Sequence, residues 1–138
     1  MRKIAVIDGQ GGGIGSLVIK RLKEEFGDRL EITALGTNST ATSAMLKARA
    51  NRGATGENAI VWNAGRVEAI IGPVSIVLAN GMLGELTPKM AKAIASSAAK
   101  KFLIPLNQEN VEVIGTLREP LPHLIEKLIE TINQSMNE

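Results

Sequence analysis

The sequence predicts a three-layer α/β sandwich whose sheet has about five strands, mostly parallel, with one antiparallel strand at an edge. Short apolar runs alternate along the chain with stretches of helical periodicity. Most of the 14 glycines cluster where these runs end, as expected for tight turns between strands and helices. The length of 138 residues suits one domain spanning residues 1–138.

The chain opens with a strand, a glycine-rich turn and a helix. Residues 3–7, KIAVI, form an apolar run typical of a buried parallel strand, and Asp8 follows it directly. The next apolar residues have helical spacing, and Gly27 is a natural stop signal. These residues are Ile14, Leu17, Val18, Leu22 and Phe26.

The middle of the chain predicts two helices between the second and third strands. The predicted elements are a strand over 31–35, a helix from Ser39 to Asn51 capped by Asn38 or Ser39, a loop over 52–57, a helix from Asn58 to about Gly65, and a strand over 67–71. A right-handed crossover needs only one passage across the sheet. One of the two helices is therefore expected to be an excursion.

The last third predicts a helix, two strands and a final helix. Thr87 and Pro88 form a helix start, and residues 102–106 form the fourth strand. Only four polar residues separate this strand from 111–115, too few for a crossover, so the fifth strand is expected to run antiparallel. Residues 121–136 show the clearest helical pattern, whereas 74–84 fit a short helix, a hairpin arm or a lid.

Composition narrows the classes of function. The net charge of +2 and the aromatic content of 2% offer neither a basic stripe nor stacking rings, which argues against nucleic-acid binding. Cysteine is absent, and no apolar run reaches about 18 residues, so we expect no membrane association and a cytoplasmic location. A homodimer is expected only on the general frequency of such assemblies.

The glycine-rich turn is the strongest candidate binding feature. Gly9, Gly13 and Gly15 have the spacing GxxxGxG, which resembles the dinucleotide fingerprint of short-chain dehydrogenases/reductases. Glycines permit close approach of the backbone, and a helix N-terminus offers N–H groups to a phosphate. The alternative is a strand-to-helix turn that simply needs glycine. The predicted phosphate-binding residues are Asp8, Gly9, Gln10, Gly11, Gly12, Gly13, Ile14 and Gly15.

Two departures argue against an ordinary reductase. The family's catalytic tyrosine is impossible because the chain has no Tyr. The second strand ends in Gly36, Thr37 and Asn38, without the acidic residue that holds a ribose diol. Thr37 and Asn38 can instead bind a ribose phosphate, with Arg49 or Arg52 nearby. The expected cofactor is NAD or NADP, with NADP favoured.

Asp8 is the discordant residue, because a carboxylate at the strand tip repels a pyrophosphate. Three interpretations remain open: a Mg²⁺ ligand or acid/base, a partner for a ribose or base donor, or a cap for the N–H groups of the loop. Glu57 and Glu85 precede predicted helices and are candidate general bases, but the favoured interpretation is that they are charges that stabilise the first helical turn. No catalytic residue and no metal ligand set is assigned.

A second group of residues is expected at the same edge of the sheet. If the second middle helix makes the crossover, its start lies beside the glycine loop, and segment 74–84 lies over that face. Asn107 ends the fourth strand there. The predicted substrate-side residues are Arg52, Thr55, Gly56, Asn58, Asn80 and Asn107.

Taken whole, the chain resembles a family of short bacterial proteins known only as a domain of unknown function with a Rossmann-like fold. The similar segments are DGQGGGIG at 8–15, LGTN at 35–38, TSAMLKA at 42–48, RGATGENAIVWN at 52–63, IIGP at 70–73, GELTPKMAKAIASS at 84–97, IPLN at 104–107 and PLPHLI at 120–125. The resemblance implies a self-contained small domain and no particular reaction. The alternation of strands and helices fits either a Rossmann-like or a flavodoxin-like sandwich.

Two hypotheses of function follow. The first is a small nucleotide-binding protein that holds NAD(P) or a related phosphate-bearing ligand without a complete catalytic set. The second is a small enzyme acting on a phosphorylated or carboxylated metabolite, with Asp8 as acid/base or Mg²⁺ ligand.

Overall fold

The computed structural model describes residues 1–106 and 110–137, in which strands and helices alternate. The strands are β1 (Lys3–Asp8), β2 (Glu31–Gly36), β3 (Arg52–Thr55), β4 (Ala69–Pro73) and β5 (Lys100–Ile104). The helices are α1 (Gly13–Phe26), α2 (Ser39–Lys47), α3 (Glu57–Ala64), α4 (Pro88–Ser96) and α5 (Leu121–Met136). Short 3₁₀ turns follow α1 at Gly27–Arg29 and β4 at Val74–Val77.

The five strands form one parallel sheet in the order β3-β2-β1-β4-β5. Helices α1, α2 and α5 cover one face, and α3 and α4 cover the other. The predicted three-layer α/β sandwich is confirmed. The strand order is that of a Rossmann-like sheet and not the 2-1-3-4-5 order of flavodoxin-like sheets.

Strand β1 lies at the centre of the sheet and contributes to the core on both faces. Ile4 and Val6 pack under α1, α2 and α5, whereas Ala5 and Ile7 pack under α3 and α4. All four side chains are at most 1% exposed. The continuous apolar run at the start of the sequence therefore reflects burial from two sides.

The predicted antiparallel edge strand over 111–115 is wrong. Every strand pair that the structure describes is parallel, and β5 forms the edge of the sheet. Val113 and Ile114 are 39% and 89% exposed, so these two apolar residues face solvent, and the segment contributes at most an isolated bridge at Val111 and no strand. A five-residue alternation of apolar and polar residues is a weak strand signal, because an exposed loop satisfies it equally well.

The loop predicted over 52–57 instead contains strand β3, which pairs with β2 at the other edge of the sheet. Its residues are mostly exposed, so they carry no apolar pattern from which a strand can be predicted. Because β3 lies between α2 and α3, each of these helices is an ordinary crossover. The excursion expected from the sequence is therefore also wrong.

Helix α5 completes the face that α1 begins. Its side chains Ile125, Leu128, Ile129 and Ile132 are buried in the same core as the apolar face of α1. Within residues 1–106 and 110–137, no helix has both the length and the apolar character needed to cross a membrane.

Candidate functional site

The carboxyl ends of the parallel strands meet at one edge of the sheet, where the strand order reverses between β1 and β4. The chain leaves β1 towards α1 on one face and leaves β4 towards α4 on the other, so the two connections diverge. A cleft of about 870 Å³ lies between them. Such reversal points are where open α/β sheets bind their ligands.

The cleft combines residues from three parts of the chain. Its described lining comprises Asp8, Gln10 and Ile14 from the glycine loop, Pro73, Ser75 and residues 77–83 from the segment after β4, and Leu106, Asn110 and Val111. Asp8 is the only charged residue among them. A ligand in this cleft therefore meets backbone groups, amides and apolar surface, without a basic side chain from the described lining.

Asp8 caps the glycine loop and the start of α1. Its Oδ1 accepts a hydrogen bond from the N–H of Gly9 at 2.8 Å, and its Oδ2 accepts one from the N–H of Gly15 at 2.7 Å. The side chain is only 4% exposed. Of the three interpretations open from the sequence, these contacts favour capping.

Burial raises the pKa of the Asp8 carboxyl above its ordinary value of 3.8. The hydrogen bonds from Gly15 and Gly9 act in the opposite direction, and the nearby charge of Glu85 raises this pKa further. Desolvation, the largest effect, and the charge of Glu85 together therefore outweigh the backbone donors, of which Ile14 is a third. Within the described residues, no group of three or more acidic or histidine side chains is arranged to hold a metal ion.

Three glycines of the loop are required by the protein itself. A Cβ at Gly9 would lie 2.5 Å from both Met82 Sδ and the Thr37 hydroxyl. Gly12 has φ of +73° and lies against the Ala41 carbonyl, and a Cβ at Gly15 would lie 2.6 Å from Met45 Sδ. Backbone conformation or packing explains each of these positions.

Gly11 and Gly13 have no such explanation. A Cβ placed on either residue meets no atom within 4 Å, and neither residue has a positive φ. The described hydrogen bonds also include none donated by their N–H groups. These two residues leave an open face beside the N-terminus of α1, in the position where a phosphate would approach the loop.

The turn after β2 packs against the glycine loop. The N–H of Thr37 donates to the Asp8 carbonyl at 3.0 Å, and Asn38 Nδ2 donates to the Gln10 carbonyl at 3.0 Å. Asn38 Oδ1 accepts from the N–H of Ala41 at 2.9 Å, so Asn38 is the N-cap of α2. The turn predicted to hold a ribose phosphate therefore adjoins the loop predicted to hold the other phosphates.

The carboxylate of Glu85 occupies this turn, which the sequence did not lead us to expect. Its Oε1 accepts hydrogen bonds from the N–H of Gln10 at 2.9 Å, the Thr37 hydroxyl at 2.7 Å and Asn38 Nδ2 at 2.7 Å. These donors, the Gln10 N–H first, hold the pKa of Glu85 below its ordinary value. Glu85 thus places a negative charge at the end of β2.

The interpretation of Glu85 as a first-turn charge of α4 is wrong. The N-cap of that helix is Thr87, so Glu85 lies outside it. One signal in the sequence points to such a partner: Thr37 and Asn38 are side-chain donors at the end of a strand with no acidic residue near them in sequence. The interpretation holds for Glu57, the first residue of α3, which also accepts a hydrogen bond from Thr87 Oγ1 at 2.6 Å.

Residues 78–86, hereafter the 78–86 segment, bring Glu85 to the loop. The segment folds on itself through bonds from the N–H of Asn80 to the Leu86 carbonyl at 2.8 Å and from the N–H of Leu86 to the Gly81 carbonyl at 3.1 Å. Asn80, Met82 and Leu83 all have positive φ, which is unusual for residues other than glycine. Of the three alternatives for 74–84, which the structure describes in full, the hairpin arm is absent. The segment begins with a short 3₁₀ turn at Val74–Val77 and continues as an irregular segment that lines the cleft.

The predicted substrate-side residues are only partly brought together. Asn80 lines the cleft. Thr55 and Gly56 lie at the carboxyl end of edge strand β3, where the Thr55 hydroxyl donates to Thr42 Oγ1 at 2.8 Å and the N–H of Gly56 donates to the Gly36 carbonyl. Asn58 lies exposed in the first turn of α3. None of these three lines the cleft.

The arginines expected near the ribose lie elsewhere. Arg52 begins β3, pairs with Glu31 at the start of β2 and therefore lies at the opposite end of these strands from Thr37. Arg49 follows the last turn of α2, the end remote from Asn38. Asn107, also expected at the site, lies outside the described residues.

The chain belongs to the family described as Domain of unknown function (DUF3842), whose model matches residues 3–137. No significant match was found among curated proteins or among solved structures.

Proposed function

We propose that this protein binds a nucleotide, NAD(P) or a related phosphate-bearing ligand, on the glycine loop, which borders the cleft between β1 and β4 through Asp8, Gln10 and Ile14. The open face at Gly11 and Gly13 is the observation that carries this proposal: neither backbone conformation nor packing within the described protein requires glycine there, and both residues lie at the carboxyl end of β1 beside the N-terminus of α1. A ligand that must approach the backbone closely supplies the missing reason.

The available donors suit a phosphate. The N–H groups of Gly11 and Gly13 are not used by any described hydrogen bond, and they adjoin the positive end of the α1 dipole. Those of Gly9 and Gly15 are already held by Asp8. The phosphate therefore contacts the outer donors of the loop, while Asp8 keeps the inner ones in place.

Isothermal titration of the purified protein with NAD⁺, NADP⁺, ATP and GTP, with and without Mg²⁺, tests this proposal directly. We expect at least one of these nucleotides to bind. We expect Gly11→Ala and Gly13→Ala each to weaken its affinity by about tenfold, because the added methyl group keeps the phosphate away from the backbone N–H groups and so weakens a hydrogen bond to a charged group. Circular dichroism should show that both variants keep the fold, since the added methyl group meets open space.

Gly65→Ala is the matched control. Gly65 also has open space around a Cβ and a negative φ, but it ends α3, whereas Gly11 and Gly13 lie in the loop that follows β1, at the start of α1. We expect this variant to bind like the wild type. If no nucleotide binds, or if the three glycine variants are indistinguishable, the proposal is wrong.

A further inference from the structure

The position of Glu85 carries a second step, which rests on the proposed function. We propose that Glu85 determines which nucleotide is accepted: it selects a ribose with a free 2′-hydroxyl, as in NAD⁺, and rejects a ribose 2′-phosphate, as in NADP⁺. Its carboxylate thereby serves the role that an acidic residue at the end of the second strand serves in other dinucleotide sites.

The Glu85 carboxylate lies at the end of the second strand. The ribose of a dinucleotide lies beside the end of the second strand, and in this chain that strand ends at Gly36 without an acidic residue. Glu85 comes from the far side of β1, yet its Oε1 is held by Thr37 and Asn38, the two residues that follow β2. The carboxylate therefore occupies this place although it is 48 residues away from Thr37 in sequence.

The two oxygens of the Glu85 carboxylate differ in the hydrogen bonds that they accept. Oε1 accepts all three hydrogen bonds that fix the side chain, from Gln10, Thr37 and Asn38. Oε2 accepts none from the residues that the structure describes, and the side chain is half-buried. One oxygen thus anchors the group while the other remains an acceptor for a hydroxyl donor, which is what a ribose diol offers.

The negative charge of Glu85 disfavours a ribose 2′-phosphate. The Glu85 carboxyl, whose pKa is held low by its three donors, is ionised at neutral pH and repels a dianionic 2′-phosphate. A 2′-phosphate site needs a cation. Arg49 and Arg52 lie at the opposite end of β2 and β3, and the described lining of the cleft has no basic residue. The preference for NADP drawn from the sequence is therefore reversed in this proposal.

The open space at Gly11 begins next to the residue that holds Glu85. Gln10, whose N–H holds Glu85, is followed directly by Gly11, around which a Cβ meets no atom within 4 Å. The residue that holds Glu85 is thus the chain neighbour of a residue on the open face assigned to the phosphates. A nucleotide can place its phosphates over Gly11 and Gly13 and its ribose next to Glu85.

The test compares the dissociation constants of NAD⁺ and NADP⁺ for the wild type, Glu85→Gln and the control Glu24→Gln, by isothermal titration. Glutamine keeps an acceptor for the three donors and removes the charge. Glu24 is an exposed carboxylate on α1 outside the cleft. We expect the wild type and Glu24→Gln to bind NAD⁺ at least about tenfold more tightly than NADP⁺. In Glu85→Gln this ratio should fall to near one, mainly because NADP⁺ binds more tightly.

The outcomes separate this inference from the proposed function. Equal affinity of the wild type for NAD⁺ and NADP⁺, tighter binding of NADP⁺, or a ratio that Glu85→Gln leaves unchanged would overturn the role of Glu85 while nucleotide binding stands. Absence of binding by every nucleotide would overturn the proposed function and the role of Glu85 together.

Discussion

Asp8 places a negative charge inside a loop that we expect to receive an anion. Two opposing effects act on it, since burial disfavours the ionised form whereas the N–H groups of Gly9 and Gly15 favour it. The pKa is raised, so burial is the larger effect. The carboxyl group accepts hydrogen bonds from two backbone donors that would otherwise be buried without a partner, which explains an acidic side chain at this position.

This balance predicts how stability depends on pH. A carboxyl whose pKa is higher in the folded than in the unfolded state favours folding most when it is protonated. As pH rises from about 4 to about 7, the free energy of unfolding of the wild type should therefore decrease relative to that of Asp8→Asn, which cannot ionise. Urea unfolding of both proteins across this range measures the difference.

The exposed aspartate Asp28 provides a control, because Asp28→Asn removes the same charge from a solvated turn. The unfolding series on Asp28→Asn measures the change that removal of an exposed carboxylate produces, and the Asp8→Asn difference is compared with it. A difference for Asp8→Asn that moves in the opposite direction would mean that the hydrogen bonds from Gly9 and Gly15 outweigh burial, and that the sign of the Asp8 shift is wrong.

The 78–86 segment has the opposite dependence on pH, because its anchor Glu85 has a lowered pKa. Such a group contributes stability above its unfolded value of 4.5, and this contribution is lost as pH falls through the folded value. We expect the advantage of the wild type over Glu85→Gln in free energy of unfolding to shrink as pH is lowered from about 6 to about 3.

The same unfolding series on Glu24→Gln shows how much of this change belongs to any exposed carboxylate. The exchange rate of the Gln10 amide hydrogen gives a local measurement, since its N–H donates to Glu85. Faster exchange in Glu85→Gln than in the wild type at pH about 6 is expected, because a neutral acceptor forms a weaker hydrogen bond than a carboxylate. Unchanged exchange would contradict the anchoring role of Glu85.

The elements that could be predicted from the sequence are those whose signals are local. Apolar runs, the helical spacing of apolar residues and capping residues predict the strand at 3–7 and the helices that begin near Gly13, Ser39 and Thr87. Strand β3 does not, because an exposed edge strand of four residues needs no apolar side chains. The family resemblance is confirmed over residues 3–137, while its bacterial origin stays a prediction.

The candidate site divides in the same way. The glycine loop and the Thr37–Asn38 turn are contiguous in sequence and could be predicted. The third component, Glu85, reaches them only through the order of the strands, which brings the connection after β4 beside the end of β1. The prediction that Arg52 lies at the site is wrong because the sequence does not predict strand β3. Arg52 begins that strand and therefore lies at the end of the strands opposite Thr37.

The molecule as a whole depends on α5 to close one of its two cores. Ile132 is fully buried in that core, whereas Ile114 is 89% exposed. We expect Ile132→Ala to lower the free energy of unfolding by about 2 to 5 kcal/mol, since it removes buried methyl groups and leaves a cavity. The matched change Ile114→Ala should stay within about 0.5 kcal/mol of the wild type.

Urea unfolding followed by far-ultraviolet circular dichroism and by Trp62 fluorescence measures both variants. Trp62 lies on α3, on the opposite face of the sheet from Ile132, so coincident transitions would show that the two cores unfold together. Transitions that separate, or an Ile132→Ala variant as stable as the wild type, would contradict a single cooperative unit closed by α5.

The open face at Gly11 and Gly13 also has a thermodynamic consequence for the protein without its ligand. A glycine has more conformational freedom than alanine in the unfolded chain, so each of these residues costs about 0.4 to 1 kcal/mol of stability where alanine would fit without strain. Small domains have only about 5 to 15 kcal/mol in total. The chain therefore loses a measurable part of its stability at the two positions where the proposed ligand would approach the backbone most closely.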